Sequence, residues 1–261
     1  MTGAVLFDFD GTLVDTFDDI VEGVQRMRAA LGGERLPPPQ IRRHIGWGTA
    51  NLVAQCHPRM DTQRPDGLPA DGAQLPLDAD EVERSLALFR DAYSEILMRR
   101  SRAYPGAIEM CHALSADGVA LAIVSNKPER FVRLVMAALG MVDDFALVLG
   151  GDSLAARKPD PQPLRHAAAT LGQPPGRCIM VGDGTLDLEA ARSAGMPGCG
   201  VTWGLLGKEE LVPLAPAYIA ESIAGLETWL RATLKALAFA HPPAAGPPPG
   251  EPRVKSSPRD S

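Results

Sequence analysis

The strongest constraint in this chain is a pair of acidic residues set directly after a short apolar run: Ala4-Val5-Leu6-Phe7-Asp8-Phe9-Asp10-Gly11-Thr12. The run reads as a buried strand of a parallel sheet. Side chains alternate along a strand, so Asp8 and Asp10 leave the backbone on the same side. Gly11 lets the chain turn sharply beyond them. In an open parallel sheet, ligands bind at the carboxyl ends of the strands. A lone Asp-x-Asp is more often a helix cap beside a solvated neighbour; its place after a buried strand turns the reading toward a site.

The chain then departs from simple strand–helix alternation. Residues 15–31 have helical spacing, with Phe17, Ile20, Val24, Met27 and Leu31 on one side and Asp15 placed to cap the start. Gly32-Gly33 and Pro37-Pro38-Pro39 end it. A second helical region from about Gln40 is broken at Gly46-Trp47-Gly48 and resumes at 51–55. Residues 58–80, rich in Pro, Asp and Gly, read as a long flexible loop. Residues 80–100 are helical again, with Val82, Leu86, Phe89, Tyr93 and Leu97 on one face.

The remainder alternates. Strands are expected at 120–124, 146–149, 178–181 and 198–201, with a short one near 218–219. Helices are expected at 106–116, 129–139, 163–171, 186–194 and 222–238. The fold class is therefore α/β, a doubly wound parallel sheet with an inserted all-helical block. The expected organisation is a Rossmann-like core of 1–14 and 102–240, a helical domain of 15–101, and a disordered Pro- and Gly-rich tail of 241–261.

Three further stretches join the first. Ser125-Asn126-Lys127-Pro128 follows an apolar run, as does Val181-Gly182-Asp183-Gly184-Thr185-Leu186-Asp187; Lys158-Pro159-Asp160-Pro161 lies between them. In this order and register the four resemble the motifs of the haloacid dehalogenase superfamily of phosphotransferases. Residues 15–101 resemble the small helical cap of one branch of that superfamily. Tyr104-Pro105-Gly106, Leu149-Gly150-Gly151-Asp152, Thr202-Trp203-Gly204 and the cap's Ile45-Gly46-x-Gly48 are also similar to the phosphoglycolate phosphatase subfamily. Gly184 departs from it, since Ser is common there, and the 58–80 loop is longer than usual.

Four motifs at one sheet edge bring Asp8, Asp10, Asp183 and Asp187 together with Ser125 and Lys158. Two carboxylates ~4 Å apart repel by roughly 4 kcal/mol at an effective dielectric near 20. The donors are all oxygen, which selects a hard cation, Mg²⁺. The resemblance assigns the roles. Asp8 is the nucleophile and a metal ligand. Asp10 is the acid and base, and reaches the metal through its main-chain carbonyl. Asp183 binds the metal and Asp187 supports it. Ser125 and the Asn126 N–H hold phosphoryl oxygens, Lys158 offsets charge, and Gly11 and Thr12 serve geometry. Taken singly, each of these residues also reads as a helix cap or a surface ion pair.

The leaving group is read elsewhere. The break at Gly46-Trp47-Gly48 frees N–H groups that suit a substrate carboxylate, with Arg42, Arg43 and His44 just before it. The resemblance implies a Mg²⁺-dependent phosphatase for a small phosphorylated metabolite such as 2-phosphoglycolate. A phosphomutase of the same fold, a phosphatase for pyrophosphate or nucleoside monophosphates, and an inactive binding protein remain as alternatives. Net charge of −6 without a basic block argues against nucleic acid and anionic membranes. Four scattered cysteines without Cys-x-x-Cys read as reduced buried thiols. Asp8 leaves no room for a signal peptide and no apolar run spans a bilayer, so the expected location is the cytoplasm, as monomer or homodimer.

Overall fold

The computed structural model describes residues 3–62 and 77–240. Among the described residues eight strands are formed: β1 (Ala4–Phe7), β2 (Val14–Asp15), β3 (Arg102–Ala103), β4 (Ala120–Val124), β5 (Leu147–Leu149), β6 (Cys178–Gly182), β7 (Gly198–Val201) and β8 (Tyr218–Ala220). Six of them make one parallel sheet in the order β5-β4-β1-β6-β7-β8. Phe7 at the end of β1 lies opposite Ile123 on one side and Val181 on the other. The chain fills the sheet leftward from β1 and then rightward, so the carboxyl end of β1 is a topological switch point.

Every residue of β1 is buried, which explains why it lacks polar alternation: both faces of the sheet are covered. Odd positions Val5 and Phe7 join Leu121, Ile123, Ile179 and Val181 on one face, under α5 (Ala107–Ala116), α6 (Glu129–Leu139) and α10 (Ile223–Ala240). Even positions Ala4 and Leu6 join Ala122, Val124 and Met180 on the other, under α7 (Gln162–Thr170) and α8 (Thr185–Ala194). Each buried Val, Leu, Ile, Phe or Met side chain among them contributes ~1.5–3 kcal/mol.

Between β1 and β4 the chain leaves the sheet layer. Helices α1 (Phe17–Ala30), α2 (Pro38–Arg42), α3 (Thr49–Gln55) and α4 (Ala79–Ile96) form the all-helical cap with its own apolar cluster, Phe17, Ile20, Val24 and Met27 against Leu86, Phe89, Tyr93 and Ile96. Phe131 of α6 reaches into that cluster. Exit and return are tied together. β2 pairs antiparallel with β3, and the buried Asp19 carboxylate accepts from the N–H groups of Arg100 (3.0 Å) and Ser101 (2.9 Å) and from the Ser101 hydroxyl (2.6 Å).

Several local expectations are corrected. The first cap helix starts at Phe17 with Thr16 in the N-cap position; Asp15 instead accepts from the Phe17 N–H at 3.2 Å. The short helix before the glycine break begins at Pro38, because proline is tolerated in a first turn. Helix α4 stops at Ile96 rather than about Arg100; Met98 then adopts a left-handed φ of 68°. Within the expected 58–80 loop, Pro58–Thr62 form a 3-10 helix. The buried Arg28 guanidinium holds that turn, donating to the carbonyls of Glu34 (2.6 Å) and Cys56 (2.8 Å) and to the Asp61 carboxylate (2.5 Å). Residues 63–76 of that loop, and the expected tail 241–261, lie outside the described residues. α9 (Lys208–Leu211) was not anticipated from the sequence. Among the described residues, no helix is long and apolar enough to cross a membrane. The four cysteines are buried and unpaired.

Candidate active site

The strand ends deliver their acids to one point. Asp8 follows β1, and its N–H still bonds the Val181 carbonyl at 2.8 Å, which continues the ladder one residue further. Asp183 follows β6, and Asp187 lies in the first turn of α8. Each of these three carboxylates places an oxygen within 4.8 Å of the others. The Lys158 ammonium sits against two of them, 2.8 Å from Asp8 and 2.6 Å from Asp187.

Close backbone approach makes the cluster possible. A Cβ on Gly11 would lie 2.1 Å from Asp183 Oδ2, and one on Gly204 would lie 2.3 Å from both that oxygen and the Gly11 carbonyl. Gly11 also has φ of 83°, which L side chains rarely adopt. Asp183 is oriented by Thr12 Oγ1 (3.3 Å) and by the Leu205 N–H (2.7 Å). Asp187 accepts from the Gly184 N–H at 3.1 Å.

Charge in this cluster does not balance. Burial, then Asp8 and Asp187, push the Asp183 carboxyl well above its ordinary range. Burial first, and then Asp8, raise Asp187 to about 6, against the lowering effect of Lys158. For Lys158, burial alone would lower the ammonium; Asp187 and Asp8 outweigh it and hold it above its ordinary value. Three carboxylates therefore face one ammonium, and the all-oxygen donors suit a hard divalent cation.

Asp10 is set apart from this group. Its carboxylate accepts from Thr16 Oγ1 at 2.6 Å and from Lys127 Nζ at 3.0 and 3.2 Å. Lys127 also donates to the Tyr93 hydroxyl on α4 at 2.8 Å. Ser125 follows β4 and is buried on the cavity wall; its Oγ accepts from the Lys127 N–H at 3.3 Å. The Asn126 side chain braces the Lys158 loop, donating to the Lys158 carbonyl (2.8 Å) and accepting from its N–H (3.0 Å). The same amide donates to the Gly46 carbonyl of the cap at 2.8 Å.

These residues line one cavity of about 680 Å³ between sheet edge and cap, which also takes in Arg43, Gly46, Trp47 and Gly48. The glycine break differs from its expected form. Residues 43–46 are turns and Trp47 a bend, α3 has only seven residues, and Gly46 presents its carbonyl to Asn126. Trp47 remains 51% exposed. Arg42 is engaged by Asp18 at 3.0 Å and lies over the Phe17 ring, and the exposed Arg43 lines the rim beside it. Lys127, Tyr93 and Thr16 were not singled out from the sequence. Lys127 lay inside a quoted motif, but its neighbours carried the assigned roles; Tyr93 read as one more apolar-face residue.

Comparison with known proteins follows this geometry. A family profile described as haloacid dehalogenase-like hydrolase matches residues 2–195. A protein named phosphoglycolate phosphatase from Nitrosospira multiformis is 39% identical over 192 residues, covering 74% of this chain and 79% of the relative. One of the same name from Xylella fastidiosa is 36% identical over 206 residues, 79% of this chain and 82% of the relative. Among solved structures, one described as a predicted phosphoglycolate phosphatase from Haemophilus somnus superposes with a TM-score of 0.76 at 29% identity, covering 88% of this chain and 97% of that one. With the acid cluster, the sheet order and these matches in agreement, the chain belongs to the haloacid dehalogenase-like hydrolase family.

Proposed function

We propose that this hydrolase is a Mg²⁺-dependent phosphatase that cleaves 2-phosphoglycolate to glycolate and phosphate through an aspartyl-phosphate. The observation that carries the reading is the convergence of Asp8, Asp183 and Asp187 at the carboxyl edge of the sheet, with Lys158 paired to Asp8 and Asp187.

Asp8, Asp183 and the Asp10 carbonyl would hold the metal, with Asp187 in support. When bound, Mg²⁺ supplies positive charge that offsets the acids and the phosphoryl oxygens. The chain's own residues do the rest. An Asp8 oxygen attacks phosphorus, and the ester P–O bond breaks as the P–O bond to Asp8 forms. The Asp10 carboxyl gives its proton to the departing glycolate oxygen. It then takes a proton from the water that releases phosphate from Asp8. Ser125 and the Asn126 N–H steady the phosphoryl oxygens, and Lys158 offsets charge between nucleophile and phosphate. The helical cap, hinged at the β2–β3 ribbon, closes the cavity during attack and admits water afterward. Trp47 and the glycine break form its outer wall.

Names of the relatives favour phosphoglycolate as substrate. The test is phosphate release from a panel of small phosphoesters with Mg²⁺, alongside product analysis. Preference for 2-phosphoglycolate supports the reading. Preference for a sugar phosphate with an isomeric product, or for a nucleotide, overturns the substrate.

A further inference from the structure

The cavity holds two buried polar groups that the proposed chemistry leaves unused. Lys127 is 8% exposed and Tyr93 1%. Both line the cavity beside Asp10. An ammonium has three N–H groups. One goes to the Tyr93 hydroxyl at 2.8 Å, and one is shared across the two Asp10 oxygens at 3.0 and 3.2 Å. A third is left over. The Tyr93 hydroxyl accepts from Lys127, so its own proton must point elsewhere, and it meets no acceptor among the described residues. A buried donor without an acceptor is costly, which calls for a ligand atom.

Both donors are held in place. The Tyr93 ring stacks on Phe89 at 5.4 Å and meets Phe131 edge-on at 5.0 Å. Lys127 sits 4.7 Å from the same ring centroid. Burial keeps the phenol proton on, since it raises the Tyr93 group above its ordinary value.

We infer that Lys127 and Tyr93 form the specificity site for an anionic group carried on the carbon next to the ester oxygen, the carboxylate of a phosphorylated 2-hydroxy acid. The inference rests on the phosphatase reading above, because Asp10 marks where the ester oxygen lies. In a phosphorylated two-carbon acid the carboxylate oxygens lie roughly 3 Å from the ester oxygen, across one methylene. Lys127 Nζ is 3.0 Å from Asp10 Oδ1 and 2.8 Å from the Tyr93 hydroxyl, so a carboxylate one methylene from the ester oxygen lies within reach of the remaining hydrogens of both groups. Tyr93 belongs to the cap and Lys127 to the sheet layer, so such a carboxylate is grasped from both sides only when the cap is closed. A competing reader is Arg43 at the rim, on the cap alone.

The test uses the full-length protein with Mg²⁺ and two substrates, 2-phosphoglycolate and ethyl phosphate, which carries a methyl in place of the carboxylate. Tyr93→Phe removes only the hydroxyl and keeps the ring stack. It should lower the ratio of kcat/KM for the two substrates by roughly 10- to 100-fold. Lys127→Met should lower it at least as far, and Arg43→Ala should move it less. Melting temperatures establish that each variant folds. If the wild type prefers phosphoglycolate and folded Tyr93→Phe keeps that preference, or Arg43→Ala abolishes it instead, the inference is overturned and the substrate reading stands. If the wild type shows no preference for the carboxylate, both are overturned together.

Discussion

Without Mg²⁺ the protein should lose stability as pH rises through about 6, and the cause is the raised acid pair, Asp183 and Asp187, of which Asp187 is the separable part. The Asp187 carboxyl is raised from an ordinary 3.8 to about 6, by burial and then by Asp8, with Lys158 opposing. Between those values the native state keeps a proton that the unfolded chain has released. The stabilisation is therefore fully present below 3.8 and is lost as pH climbs through about 6. Moving the carboxyl from 3.8 to about 6 corresponds to about 3 kcal/mol. At about 2–4 °C per kcal/mol for a chain of this size, that is ~6–12 °C in melting temperature. Two histidines work in the opposite sense. Burial lowers His44 and His57 below their ordinary value, so their contribution grows as pH rises. The acid cluster is isolated by comparison with Asp187→Asn. Calorimetry of metal-free protein from pH 5 to 8 should show a descending contribution that Asp187→Asn lacks. Mg²⁺ should restore stability at pH 8 and add little at pH 5, where protons compete for the same oxygens. Equal pH slopes for the metal-free wild type and Asp187→Asn would refute the reasoning.

Asp8→Asn should reduce phosphate release to background while the protein stays folded; sustained Mg²⁺-dependent turnover by the purified variant would remove Asp8 from the nucleophile role. Gly204→Ala would bring a Cβ to 2.3 Å from Asp183 Oδ2 and from the Gly11 carbonyl. Calorimetry should show Mg²⁺ affinity reduced by roughly 10- to 100-fold, and unchanged affinity would show that the loop yields freely. Arg28→Met leaves the buried Cys56 carbonyl, the part-buried Glu34 carbonyl and the half-exposed Asp61 without their donor. It should cost about 3 kcal/mol in denaturant titration, and a loss below about 1 kcal/mol would mean that water replaces the guanidinium.

Much of the site was legible because its chemistry follows strands. Asp8, Ser125 and Asp183 each stand just past an apolar run, and a buried strand in a parallel sheet announces itself by composition alone. Lys158 was legible only through its motif, since it ends no strand. Helix limits 129–139 and strand limits 120–124 and 198–201 matched the spacing for the same local reason. Boundaries set by a cap or a bend did not: α1 starts where Asp15 accepts from the Phe17 N–H, and the chain after α4 is held by Asp19, eighty residues away, through the N–H groups of Arg100 and Ser101.

The sequence by itself determined which acids lie at strand ends, that a helical block interrupts the sheet after the first strand, and that the donors suit a hard cation. Only the tertiary structure decided how those acids divide. Asp8, Asp183 and Asp187 gather together, with Lys158 paired to Asp8 and Asp187, while Asp10 turns to Thr16 and Lys127. It also decided that Tyr93, an apolar-face residue by its spacing, puts its hydroxyl on Lys127. The physical reason is distance in sequence. Periodicity reports which face of one element is buried, but the partner of a buried polar group comes from another element, and only packing brings the two within hydrogen-bond reach.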